Sequence, residues 1–241
     1  MEKQTFIERI NNDIEEFGFT GEPWIFDEND KVIVVGRFDS KFKFSHDCAN
    51  QKFYESALKI LRGSGKEDEI TIIVHESLVE SIKCDPEMVV AVAGKYKTKN
   101  ICGDDNKQHL RMYIQAGMVV QYDSQKSISK DRRTTNIIYL DGFVCKRPTL
   151  RYTPLGKTIS DVTVAVNMRF GKSAYVPCIS WGNIANFTKK LKVGDHIQLY
   201  GRTQSRIYVK DGELKKANEI SIFQLQKSRR VKNKEVNSKK C

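Results

Sequence analysis

The sequence predicts a mainly β chain: two small five-stranded Greek-key barrels in tandem, with a short helix in front and a basic tail behind. Two series of five strand-like segments follow one another, and each has a helix candidate between its third and fourth strands. Three landmarks repeat at a nearly constant distance. Gly36 and Gly142 lie 106 residues apart, as do His75 and Trp181, while Gly94 and Gly201 lie 107 apart. One spacing held across three positions is the signature of a tandem duplication.

Residues 1–30 form the helix and its lead-in. Phe6, Ile7, Ile10, Ile14 and Phe17 fall at helical spacing, so an amphipathic helix is expected over residues 4–17, ending before Gly18. Its apolar stripe packs on its own domain or serves as an arm for a partner. The N-terminus lacks the uninterrupted apolar core of a secretion signal, and no stretch reaches membrane-spanning length, so a cytoplasmic chain without a membrane partner is expected.

The first barrel is read over residues 31–121, from the segments KVIVVGRF, FYESALKILR, EITIIVH, EMVVAVAGKYK and LRMYIQAGMVV, with the helix candidate at ESLVESIK. The polar stretch YDSQKSISKDRRTT, residues 122–135, has no apolar periodicity and reads as a linker. The second barrel spans residues 136–226, from TNIIYLDGFVCKR, KTISDVTVAVNMR, SAYVPCISW, DHIQLYGRTQSRIYVK and ANEISIFQLQ, with a helix at GNIANFTKKL. Residues 227–241 are basic and nearly devoid of apolar side chains, so a disordered tail is expected, either solubilising or phosphate-binding. Five short strands with one helix between the third and fourth is the plan of the OB-fold, whose face and loops bind oligonucleotides or oligosaccharides.

A net charge of +11, from 41 Lys and Arg against 30 Asp and Glu, favours a polyanionic partner. The six cysteines are scattered with no C-x-x-C pair and the four histidines are dispersed, which implies reduced thiols, no zinc site and no cofactor. There is no P-loop, no H-E-x-x-H and no G-x-S-x-G, so no catalytic residues are assigned and the chain is not expected to be an enzyme. Nuclease chemistry on an OB barrel is the one catalytic alternative.

The binding candidates lie in the second barrel. Tyr175 and Trp181 are an even number of residues apart on one strand and project from the same face, while Val176 and Cys178 point to the core. On the next strand Ile197 and Leu199 are core positions, which leaves Gln198, Tyr200, Arg202, Gln204, Arg206 and Tyr208 on the opposite face. Any one of these rings alone reads as an ordinary strand aromatic. Several on one face, interleaved with arginine, read as a surface that a ligand must cover. Stacked bases supply that cover at about 1–3 kcal/mol each, without regard to sequence.

Gly142, Pro148, Arg151, Tyr152 and Gly156 follow the pattern G-x5-P-x2-R-Y-x3-G, and DVTVAV, ISWGNIANFTKKLKVGD and LYGRTQSRIY follow it in order. Together they resemble the bacterial single-stranded DNA-binding protein family over residues 134–225. The resemblance implies an OB-fold, single-stranded DNA as partner, and stacking aromatics at Phe170, Tyr175, Trp181 and Tyr208. Arg151 and Lys157, which flank the turn at Pro154–Gly156, and Lys172 then serve as phosphate contacts or as solvated charge.

Two features depart from the family. Its acidic, Phe-tipped tail is replaced by a basic one, which puts that way of recruiting replication and recombination proteins in doubt. The first barrel, whose FYESALKILRGSGKEDEITIIVHESL is also similar to primosomal replication protein N, has Ser64, Glu69, His75 and Ile101 where the second has its four rings. Its stacking platform is therefore expected to be largely missing, with Lys95, Lys97 and Lys99 as possible phosphate contacts or a solvated edge. A homodimer would gather four barrels. The alternatives to DNA binding in replication, recombination or repair are a protein-interaction module and a single-stranded RNA binder.

Overall fold

The computed structural model describes residues 6–17, 19, 29–83, 85, 88–103, 106–168, 171–210 and 212–228. Helix α1 (Phe6–Glu16) comes first. The first barrel follows as β1 (Asp30–Phe38), β2 (Lys43–Cys48), β3 (Gln51–Leu61), β4 (Glu67–His75), α2 (Glu76–Val79), β5 (Val89–Cys102) and β6 (Gln108–Tyr122). The second repeats the plan as β7 (Asn136–Val144), β8 (Thr149–Tyr152), β9 (Thr158–Asn167), β10 (Ser173–Trp181), α3 (Gly182–Thr188), β11 (His196–Lys210) and β12 (Glu213–Lys227).

Each half closes on itself. In the first, β1 pairs β5, β5 pairs β6, β6 pairs β4 in parallel, β4 pairs β3, and β3 returns to β1. The second closes identically through β7, β11, β12, β10 and β9, with β10–β12 as its parallel pair. The five-stranded barrels are thus present, but each half has a sixth strand that the sequence pattern does not separate. β2 and β8 hang on the outer edges of β3 and β9. β2 buries none of its side chains and β8 is four residues long, so neither has the alternation that marks a half-buried strand.

The duplication is visible in backbone detail. A side chain on Gly36 would put its Cβ 2.2 Å from the Lys59 carbonyl oxygen, and one on Gly142 would put it 2.5 Å from that of Ala165. Lys59 and Ala165 are themselves 106 apart. Both glycines sit where the first strand of a barrel bends across the next one, and only a missing side chain allows that approach. Gly94 and Gly201 likewise each mark a register shift in their own barrel.

The barrels join edge to edge: β1 pairs antiparallel with β7, Val32 opposite Ile138, making one twelve-stranded sheet. This explains why β1 reads as a continuous apolar run. Val32 and Val34 face the barrel interior, while Ile33 and Val35 face a second core on the outside. That outer core is closed by Ile10 of α1, by Phe17 just after it, and by Ile128. The helix is tied down by polar contacts as well: the Tyr200 hydroxyl donates to Asp13 at 3.0 Å, Lys31 donates to Asn11, and Arg132 pairs with Glu16. α1 therefore packs on its own chain. Residues 125–127 and 130–132 of the connection form short 3-10 turns, and Ile128 between them is buried.

A buried polar cluster also links the halves. Asp68 of β4 accepts from Arg62 Nε at 2.6 Å and from the Ser205 backbone N–H of β11 at 2.6 Å. Tyr96 of β5, fully buried, lies 3.2 Å from the Thr203 hydroxyl. The expected disordered tail lies, beyond Ser228, outside the described residues.

Candidate nucleic-acid interface

Strand alternation divides the second barrel into an inner and an outer surface. Val162, Val164 and Val166 of β9 and Ala174, Val176 and Cys178 of β10 fill the interior. The residues between them face outward, and Tyr175 and Trp181 are among these, with 54% and 38% of their surfaces exposed. Tyr175 stands opposite Ala165, and Trp181 opposite Ile159 at the point where β10 ends and α3 begins. The two rings thus share one strand and one face, with solvent above both, as strand alternation requires.

The guanidinium groups beside them are positioned by carboxylates. Arg151 on β8 forms a two-pronged contact with Asp161 on β9, Nε to Oδ2 at 2.7 Å and Nη2 to Oδ1 at 3.0 Å. This hydrogen bonding raises the Arg151 pKa above its ordinary value. The fork uses only part of the guanidinium's donors, so a phosphate can still be bound while the group is held in plane. Arg206 on β11 is similarly held by Glu219 of β12 at 3.3 Å, and Gln204 donates to the same carboxylate at 2.8 Å. Arg206 is exposed and Arg202 half-buried; Lys157 and Lys172 are exposed.

Three expectations for the face are corrected. Tyr200 is 1% exposed, because α1 lies over this part of β11: its ring meets Phe6 and Phe223, and Arg9 sits 5.0 Å above it. Gln204 is buried at the inter-strand contact with Glu219, which makes it a support for Arg206 and not a surface group. In the first barrel Lys95 and Lys97 are 7% and 6% exposed, opposite Gln115 and Tyr113 of β6, and so do not form a solvated edge. Lys99, further along the hairpin, is exposed. Phe170 lies outside the described residues. Of Tyr208 the backbone is described, opposite Lys215.

Several exposed apolar groups lie outside the set that the sequence singles out. Tyr152 is exposed, and alternation puts it on the other side of β8 from Arg151. Ile207, Val209 and Leu214 stand out at the free end of the β11–β12 hairpin. Their signal in the sequence is a hairpin with apolar residues at both parities, in excess of what one buried face needs. A cavity of 790 Å³ lined by Phe187, Val193, His196 and Leu225 lies where α3 meets the end of β12 and contains none of the expected binding residues. Among the described residues no group of three or more His, Cys, Asp or Glu side chains could hold a metal ion, and no helix is long and apolar enough to cross a membrane.

Residues 135–239 match the family model described as the single-strand binding protein family. Over 83 residues the chain is 36% identical to single-stranded DNA-binding protein A of Bacillus subtilis, covering 30% of this chain and 46% of that one. Single-stranded DNA-binding protein 2 of Listeria monocytogenes is equally similar, with 30% and 50% covered. The chain thus spans about half the length of these curated relatives. The crystal structure of the wild-type single-stranded DNA binding protein from Thermus aquaticus superposes with a TM-score of 0.63 at 16% identity, covering 83% of this chain and 93% of that one. That likeness extends over both barrels and establishes the shared fold.

Proposed function

We propose, from a second barrel whose residues match the single-strand binding protein family model, that this chain binds single-stranded DNA with little regard for sequence. The observation that carries the reading is the outward face of β10, where Tyr175 and Trp181 are both exposed beside Arg151 and Arg206. Bases stack on the two rings; Phe170 and Tyr208 extend the platform at the positions that the family resemblance assigns. Arg151, Arg202, Arg206, Lys157 and Lys172 meet the phosphates, and Gln204 steadies Arg206 through Glu219. The +11 charge draws the strand in. No bond is made or broken: the chain sequesters and orders a single strand, which suits replication, recombination or repair in the cytoplasm.

Two barrels per chain make a dimer of four barrels the natural assembly, and the exposed Ile207, Val209 and Leu214 are apolar surface for such pairing to cover. Light scattering that finds only the monomer mass removes this part. The binding itself is tested by titrating oligo-dT into a Trp24→Phe variant, in which Trp181 is the sole tryptophan. Stacking on Trp181 quenches its fluorescence; saturation by DNA with an unchanged signal refutes the platform. Oligo-U of equal length, used as competitor, reports whether the 2′-hydroxyl is tolerated.

A further inference from the structure

We infer that the groove between the C-terminal end of α3 and the end of β12 is a docking site for an acidic protein segment that carries a large apolar side chain. The site is separate from DNA binding and does not depend on it. The groove is the 790 Å³ cavity, and Phe187, Val193 and Leu225 form its apolar wall. Phe187 and Val193 are 43% and 62% exposed. Phe143, 37% exposed and stacked on His196 at 4.9 Å, extends the apolar surface past the groove. Apolar residues scattered singly over a surface are ordinary, whereas several gathered around one concavity mark a place for a partner.

The wall is formed before anything binds. Val193 sits in the turn from α3 to β11, and that turn is tied to β7 from both sides. The Gly194 N–H donates to the Val144 carbonyl at 2.8 Å, and the Val144 N–H donates to the Asp195 carbonyl at 2.9 Å. Gly194 itself has φ +85°, a conformation that glycine reaches without strain. A fixed turn that holds an apolar side chain outward needs little ordering when a partner arrives.

Charge selects the occupant. Lys192 and Lys227 line the groove, and Lys189 and Lys190 are exposed in the same turn. Asp195 is the one carboxylate among the described lining residues. It is already engaged, by Lys227 Nζ at 2.7 Å and by the Lys192 backbone N–H at 2.9 Å. Asp141, behind His196, is likewise taken up by His196 and by Gln198 at 2.7 Å. Ser228 also lines the groove, and the residues that follow it, 229–241, hold six Lys and Arg against one Glu. The groove is thus apolar within and cationic at its rim, with its own carboxylates paired. Such a rim repels the chain's own tail and attracts an acidic segment. Nucleic acid is the poorer fit, because Val193 and Leu225 are aliphatic and no arginine is among the described lining residues.

The test uses a fluorescein-labelled, aspartate-rich peptide with a single phenylalanine, read by anisotropy on the full chain. The chain is expected to bind it, more weakly as salt is raised, and to bind a version with alanine for the phenylalanine about tenfold less tightly. Val193→Asp puts a carboxylate on an exposed part of the wall. It should weaken the peptide about tenfold or more while leaving the melting curve and oligo-dT binding unchanged. Phe187→Ala should weaken the peptide as well, and removal of residues 229–241 should lower both its affinity and its salt dependence. No binding by the full chain, equal binding of the two peptides, or full binding by both Val193→Asp and Phe187→Ala refutes the site. Displacement of the peptide by oligo-dT, with weaker oligo-dT binding by Val193→Asp, would assign the groove to DNA instead. A lower mass for Val193→Asp than for the parent in light scattering would assign it to a second copy of the chain. Either result overturns the proposal, and neither the presence nor the absence of peptide binding alters the reading of Tyr175 and Trp181.

Discussion

Replacing Asp68 with alanine should loosen the two barrels from each other. Its carboxylate is 1% exposed and accepts from Arg62 Nε and from the Ser205 N–H, both at 2.6 Å, with the Ser205 hydroxyl 3.3 Å away. Asp68→Ala leaves the guanidinium and an N–H of β11 without their acceptor. Breaking one side of a buried ion pair costs about 3–5 kcal/mol. The Arg62 side chain is 19% exposed and can recover some hydration, so the lower end, about 3 kcal/mol, applies. With a urea slope of about 3 kcal/mol per molar, at the upper end of the usual range, the unfolding midpoint should fall by about 1 M. Asp68→Asn keeps an acceptor for Ser205 and should fall by about half as much. Urea titration followed by circular dichroism measures both, and amide exchange should rise first at Thr203 and Ser205. A midpoint for Asp68→Ala within about 0.2 M of the parent would refute the claim that this cluster holds the barrels together.

Gly142→Ala drives a Cβ to within 2.5 Å of the Ala165 carbonyl and 2.9 Å of Val164 Cγ1, so a loss of about 2–3 kcal/mol should appear as a lower melting temperature. Burial raises the pKa of Tyr96 and of Tyr200, the latter also through Asp13. Both protons are held more tightly folded than unfolded, so their contribution is complete below the ordinary tyrosine value of 10.0 and lost as pH rises above it. Melting curves should drop above that pH, and less steeply with both tyrosines replaced by phenylalanine. Removing residues 229–241, which hold six Lys and Arg against one Glu, should flatten the log-log dependence of DNA affinity on salt by about 0.7 for each phosphate that the tail neutralises. An unchanged slope means that the tail touches no DNA.

The barrels are legible in the sequence because their strands bury one face, and burial imposes alternation. Val162, Val164 and Val166 fix the phase of β9, and the rings of β10 follow as outward residues. The edge strands β2 and β8 are invisible for the converse reason: KFSHDC buries nothing and so carries no pattern. Tyr200 does lie on the non-core side of β11, but alternation specifies a side and not what covers it. The apolar stripe of α1 calls for a partner surface, and Ile33, Val35 and Tyr200 supply it from positions far apart in the chain. Lys95 and Lys97 escape the pattern similarly, since alternation gives their side of β5 and not their burial.

The central claim is that the outward rings of the second barrel hold the DNA. It is tested most directly by the affinity of labelled oligo-dT for Tyr175→Ala with Trp181→Ala, beside Tyr200→Phe as a control whose ring lies under α1. Loss of two stacking rings, at about 1–3 kcal/mol per base, should weaken binding at least about 30-fold, while Tyr200→Phe binds as the parent does. Equal affinity for all three proteins, with the double variant folded by circular dichroism, would contradict the account.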